Sequence, residues 1–300
     1  IVDFLRVCNY CHEMIFARKI VLNIIIFFSL CCFLYSQGQR EFVLPEENSA
    51  LYFGNPSPSG LPESENYILE KKQFVISYNS ETLCPNWVSW HLSALDLGDS
   101  GRSNDFRPDY SLPEKFYAVK KSDYQFVKYG FDRGHVCPSA DRSDSKENNS
   151  VTFLMTNMLP QCPDLNRIVW KDLESYEREL ASGGNELYII AGGAGKGGES
   201  QKGYFESIPL DGMEISVPAF CWKIILVLPE GSDDFSRVNP ETEIISVFMP
   251  NRQGIQNEAT WKTYLCSVDY IEGETGLDFF RFLPDDVEDV LEARIFSADR

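Results

Sequence analysis

The chain has 300 residues, 43% of them hydrophobic and 13% aromatic, which is enough apolar side chain for a real core and excludes a disordered or fibrous protein. Its formal net charge of -18 disfavours a protein that coats polynucleotides tightly, because such binders carry a basic footprint; it leaves open transient contact at a locally positive site. A length of 300 residues allows one large domain or two ordinary ones.

The N-terminal forty residues stand apart. Met14 is followed by the basic pair Arg18 and Lys19, the apolar run Ile20 to Leu34, and the polar exit Ser36-Gln37-Gly38-Gln39. That order is the layout of a secretory signal peptide, so residues 1–36 are expected to be removed and the chain to act in a secreted or periplasmic setting. Residues 1–13 precede the first methionine and read as a mis-extended start. Asn23 and Ser29 interrupt an apolar run already short for a membrane span. Cys31 offers a lipid anchor as an alternative, although Leu30 before it is poorly suited to a lipobox. Cleavage would leave Cys84, Cys137, Cys162, Cys221 and Cys266, an odd set in which disulfides are permitted but not required. Cys8-x-x-Cys11 lacks a second pair at zinc spacing, so zinc is not expected.

Residues 37–71 are rich in Pro, Ser, Glu and Gly, including Pro56-Ser57-Pro58-Ser59-Gly60, and read as a flexible leader. Strands are expected at Phe74 to Tyr78 and, after the turn-like Asn79 to Thr82, at Trp87 to Leu92; further strands are expected at Val151 to Met155, Leu187 to Ala191, Cys221 to Leu228 and Glu243 to Met249. One helix is expected from about Leu165 to Leu180, stopped by Ser182-Gly183-Gly184, and another from Pro284 to Arg294. Strands outnumber helices without regular alternation, which points to an α+β domain over residues 72–296: a mostly antiparallel sheet flanked by helices.

Histidine is scarce. His12 precedes the expected mature start, and His91 sits in an apolar strand beside Trp90, where a satisfied core histidine is the better reading. His135 lies in Gly130-Phe131-Asp132-Arg133-Gly134-His135-Val136-Cys137-Pro138, among Gly and Pro punctuation and charged neighbours. Downstream, Asn166, Trp170, Glu174 and Arg178 recur four apart, which on a helix makes one slowly drifting stripe. An amide oxygen and a carboxylate on that stripe are hard donors suited to Mg²⁺; a solvated polar face with an Asn cap is the competing reading.

Together these segments resemble the DNA/RNA non-specific endonuclease family, which includes secreted bacterial nucleases and mitochondrial endonuclease G. The resemblance rests on Asp132-Arg133-Gly134-His135, then Asn157-x-x-Pro160-Gln161, then Leu165-Asn166-x-x-x-Trp170-x-x-Leu173-Glu174. Upstream it takes in Pro85-Asn86-Trp87-Val88 and Arg102-Ser103-Asn104-Asp105-Phe106, and downstream Trp261, Val268-Asp269, Thr275-Gly276 and Phe279. It implies a ββα-metal (His-Me finger) nuclease fold acting on DNA and RNA, with Mg²⁺ as cofactor and Mn²⁺ as a substitute. It further implies His135 as general base, Asn166 as metal ligand, and Glu174 holding one of the metal's waters. Arg102 matches the phosphate-clamping arginine, with Arg107 close by as an alternative; Arg133 and Arg178 become substrate-binding candidates. Asn157, with Gln161, is a catalytic-site candidate in a bracing role. No stable protein partner and no particular oligomeric state is implied.

Gly193-x-Gly195-x-x-Gly198 follows a strand but runs into Glu199-Ser200-Gln201-Lys202, without an apolar helical period; it reads as a flexible loop near the site rather than a nucleotide cradle. The readings carried forward are a scavenging nuclease, the same machinery used as a toxin, and a nucleic-acid-binding surface protein that has lost catalysis.

Overall fold

The computed structural model describes residues 45–257 and 260–297. The expected signal segment, Cys8, Cys11 and the anchor candidate Cys31 lie outside the described residues.

Six strands form one antiparallel sheet in the order β1-β2-β3-β6-β11-β12: β1 (Tyr67–Glu70), β2 (Val75–Asn79), β3 (Cys84–Leu92), β6 (Asn185–Ala194), β11 (Phe220–Pro229) and β12 (Glu243–Pro250). The central β6 and β11 are apolar runs buried along most of their length, as strands covered on both faces must be. A separate pair, β4 (Asp132–His135) with β5 (Met158–Gln161), carries the functional motifs. Short hairpins β7 (Gly198–Ser200) with β8 (Gly203–Phe205), and β9 (Ser207–Pro209) with β10 (Glu214–Ser216), fill the passage between β6 and β11. The helices are α1 (Phe126–Tyr129), α2 (Lys146–Val151), α3 (Trp170–Ser182), α4 (Asp234–Arg237), α5 (Val268–Thr275) and α6 (Asp285–Ala293).

Helix α3 is entered through a π-turn at Leu165–Val169, so the expected helix exists but opens with the wider winding that recurs at functional sites. Its buried residues Trp170, Leu173, Glu177 and Ala181 are three or four apart and make a single face, and Gly183 and Gly184 end it. β4, β5 and this helix together are the ββα unit, and the fold is α+β with an antiparallel sheet.

Three expectations are corrected. Residues 151–155 are not a strand: α2 ends at Val151, Phe153 and Leu154 pack inward, and a 3-10 turn starts at Met155. The β-rich composition of that stretch serves burial rather than a ladder. Residues 45–71 are not a bare flexible leader, since Tyr52 and Phe53 are buried against Tyr188 and β1 pairs with β2. Two aromatics supply the apolar area that the Pro/Ser composition lacks. Gly192 and Gly193 belong to strand β6, and a Cβ on Gly192 would stand 2.2 Å from the Asn86 carbonyl oxygen and 2.7 Å from the Trp222 ring. Those glycines are there for close packing between β3 and β11. All five described cysteines are unpaired, and only Cys266 is partly exposed.

Candidate active site

β4 ends in His135, whose register partner on β5 is Met158. The side chain of Gln161 lies over Gly134, where a Cβ would come within 1.9 Å of its Oε1. Only glycine lets the two strands close at this point, which accounts for Gly134 and Gln161 in one observation. Asn157 is fully buried: it accepts from the Cys137 amide at 2.9 Å and donates to the Cys137 and Thr152 carbonyls at 2.8 and 2.9 Å. These three bonds clamp the backbone just beyond His135, so Asn157 sits in the bracing position expected of it and off the cavity wall.

His135 is 7% exposed, packed between the rings of Phe153 at 4.7 Å and Phe106 at 5.5 Å. Its Nε2 has no hydrogen-bond partner. The ring lines a cavity of about 260 Å³ whose wall includes Arg102, Arg133, Asn166, Lys171, Glu174 and Arg178. The stripe Asn166–Glu174–Arg178 therefore faces the strand that carries His135. Trp170, on the same stripe, is buried beneath it.

Three polar residues on the wall, Asn166, Arg102 and Arg178, are held from behind. The Asn166 amide nitrogen donates to Asp132 at 3.0 Å, and a carboxylate can only accept, so the amide oxygen is turned the other way. Asp132 is itself fixed by two bonds from Arg167, both 2.7 Å. Arg102 donates to Ser139 at 2.7 Å and stacks over Phe153 at 4.9 Å. Arg107 instead spends its guanidinium on Asp105 and the Ser150 carbonyl, so Arg102 is the arginine on the wall. Arg178 is anchored on buried Asp141 at 3.0 Å, which also accepts from the Trp90 indole at 3.1 Å.

Residues 56–286 match the model of the DNA/RNA non-specific endonuclease family. The chain belongs to that family. It is 39% identical to a nuclease of Nostoc sp. over 254 residues, 84% of this chain and 87% of that protein. It is 33% identical over 228 residues to the mitochondrial nuclease EXOG of Danio rerio, 74% of this chain and 63% of that one. The solved EndoG/EndoGI complex superposes with a TM-score of 0.62 at 25% identity, covering 78% of this chain and 91% of that chain. The protein is an endonuclease that hydrolyses nucleic acids.

In this endonuclease burial, with Arg102 and Arg133 adding to it, pushes the His135 imidazole down to about 3, so the ring is neutral at physiological pH. Burial pushes the Glu174 carboxyl up to about 7, against the pull of Lys223, Arg178 and Arg102. Glu174 has no hydrogen-bond partner among the described residues, and the Asn166 amide oxygen has none either. A neutral oxygen beside a half-buried acid with idle lone pairs fits a divalent ion that keeps most of its own water.

Sequence reading missed three parts of this arrangement. Asp132 stands out in the sequence only as part of the motif, yet its carboxylate accepts from the Asn166 amide. Lys171 lies on the wall and could have been found by counting back three from Glu174 on the helix. The third part is fully buried: Lys223 donates to Glu177 at 2.8 and 3.1 Å, with its ammonium 4.6 Å from the Trp170 ring and 5.4 Å from the Trp90 ring. No local pattern flags a lysine inside the apolar run of β11.

Proposed function

We propose that the protein is a secreted, divalent-metal-dependent endonuclease that cleaves DNA and RNA alike, using Mg²⁺ with Mn²⁺ as a substitute. The observation that carries the reading is the unpartnered, buried Nε2 of His135 in one cavity with the Asn166 amide oxygen, Glu174 and Arg102. A neutral imidazole with a free ring nitrogen is a base waiting for a proton. His135 takes that proton from a water, whose oxygen attacks the phosphorus in line as the bond to the leaving oxygen breaks. Arg102, preset by Ser139, grips the phosphate with its guanidinium fork. Arg133 and Arg178 hold the flanking backbone. Asn166 would bind the metal directly, Glu174 would hold one of its waters, and Asp132 keeps the Asn166 amide in orientation. The ion's contribution when bound is charge stabilisation on the phosphate and the leaving oxygen. The wall offers groups for a phosphodiester rather than for base edges, which supports indifference to sugar and sequence.

Export rests on Arg18-Lys19 followed by the apolar Ile20 to Leu34. The deciding experiment incubates purified protein with plasmid and with RNA, with and without EDTA. Cleavage of both polymers, abolished by chelation and restored by Mg²⁺, is the expected result. Cleavage of only one polymer, or activity that survives chelation, would sink the reading.

A further inference from the structure

Helices α5 and α6 bring Asp269, Glu272 and Glu292 together, with one carboxylate oxygen from each lying within 4.8 Å of the others. Acidic groups at a surface commonly gather without consequence, but Glu292 is not at the surface. It is 6% exposed, and its Oε1 has no hydrogen-bond partner. An ionised carboxylate is almost never buried unpaired, because desolvation costs several kcal/mol.

The surroundings make this worse. Glu288 on α6 and Asp278 in the connection add to the same negative field. Among the described residues no Lys or Arg forms an ion pair with Asp269, Glu272 or Glu292. Arg281 leans on Asp278, and Arg294, two residues past Glu292, donates to the Pro240 carbonyl. Glu272 accepts from the Phe279 amide through Oε1, which fixes its carboxylate.

We propose that Asp269, Glu272 and Glu292 form a calcium site that clamps α5 to α6, separate from the catalytic cavity. Three converging carboxylates are hard oxygen donors, the class that divalent group-2 cations take. Ligand number selects between them: Ca²⁺ takes several protein carboxylates in a flexible shell, whereas Mg²⁺ usually keeps most of its waters and takes one or two. Three carboxylates that converge to within 4.8 Å of one another suit the calcium pattern. The ion gives buried Glu292 the partner that the chain itself withholds, and it joins two helices that sit at the C-terminal end of the domain.

The test uses the full chain after EDTA treatment, with thermal melting and equilibrium dialysis of calcium as readouts. Ca²⁺ at a hundredfold over its Kd is expected to raise Tm by roughly 5–10 °C, with one ion bound that Mg²⁺ does not replace. Asn166→Ala, which disables the catalytic metal, should keep that response in full. Glu292→Gln should lose it while melting no lower than the wild type in EDTA, since it keeps the side chain's shape and places no charge in the buried position. Asp269→Asn, an exposed change that leaves the interior untouched, should weaken calcium binding at least tenfold. A wild type that ignores Ca²⁺ overturns the proposal, as does a response that persists in Glu292→Gln and vanishes in Asn166→Ala, or equal stabilisation by Mg²⁺.

Discussion

Around His135 three acids hold ion pairs with cations, whereas Asp269, Glu272 and Glu292 on α5 and α6 hold none among the described residues. Asp132 is gripped by Arg167, Asp141 by Arg178 and Glu177 by Lys223. From residue 268 to 293, by contrast, nine carboxylates share a single basic side chain, Arg281. Burial raises acids in both places: Glu174 up to about 7 and Glu177 up to about 8 against the pull of Lys223, and Glu288 up to about 7 and Glu292 up to about 9 with neighbouring carboxylates adding to it. The net charge of -18 is therefore no guide to the active site. Acid is concentrated away from a cavity whose own wall carries Arg102, Arg133, Lys171 and Arg178 against one glutamate, Glu174.

The largest effect that this contrast predicts belongs to His135, held neutral among the charged groups of the cavity wall. His135→Ala should reduce plasmid cleavage by about two to four orders of magnitude with the melting curve preserved. His91→Gln is the control, because His91 bonds Glu186 and packs on Tyr188 away from the cavity; it should stay within severalfold of wild type. Since burial and the two arginines hold His135 near 3, it is ionised only below that value and neutral above it. His135 should accordingly contribute no acid limb to kcat/KM around pH 6.5, and a limb near 7 should belong to Glu174 and be lost in Glu174→Gln. A His135→Ala enzyme with ordinary turnover would remove the proposed base.

Next in size is the buried pair beneath the site. Lys223→Met strips Glu177 of its partner inside the protein, and breaking such a pair costs about 3–5 kcal/mol, readable in chemical denaturation. The double variant Lys223→Met, Glu177→Leu should recover most of that loss, because it removes the stranded charge. No recovery would mean that the pair's geometry, rather than its charge, is what the core requires.

How much of this was legible beforehand follows from the range of the forces involved. The helix expected from Leu165 to Leu180 was readable because glycine and stripe signals are local, whereas the short strands β4 and β5 carry no such pattern and followed only from the family resemblance. The mostly antiparallel sheet was readable from its apolar runs. The Val151 to Met155 segment misled because Val, Phe and Leu report burial, and burial does not distinguish a strand from a packed turn. The Asp132–Asn166 and Lys223–Glu177 bonds join residues 34 and 46 positions apart, and no single-sequence pattern carries that pairing. Phe106 and Phe153 flank His135 for the same reason without having announced it.

The Asp132 contact supplies the third prediction. Asp132→Ala leaves Asn166, the proposed ligand, in place but free to rotate, so activity should fall about 10–100-fold, the usual cost of losing a ligand's orienting partner. The loss should lie mainly in apparent metal affinity and be eased by raising Mg²⁺. Asn166→Ala should be more severe and should not be eased. If both variants behaved alike at saturating metal, Asp132 would be doing something other than orienting Asn166.

The smallest effect tests the charge comparison itself. Lys171 is an exposed cation on the cavity wall, and Asp286 an exposed acid on α6. If the local wall governs encounter with the polyanion, Lys171→Ala should raise KM severalfold and flatten the salt dependence of kcat/KM by about one counterion. Asp286→Asn shifts net charge by one unit in the helpful direction yet should leave both quantities unchanged, because a Debye length of about 8–10 Å at working salt screens it from the cavity. Kinetics on RNA between 50 and 200 mM salt would separate the two. A gain for Asp286→Asn comparable to the loss for Lys171→Ala would show that the overall charge, and not its placement, sets the rate of encounter.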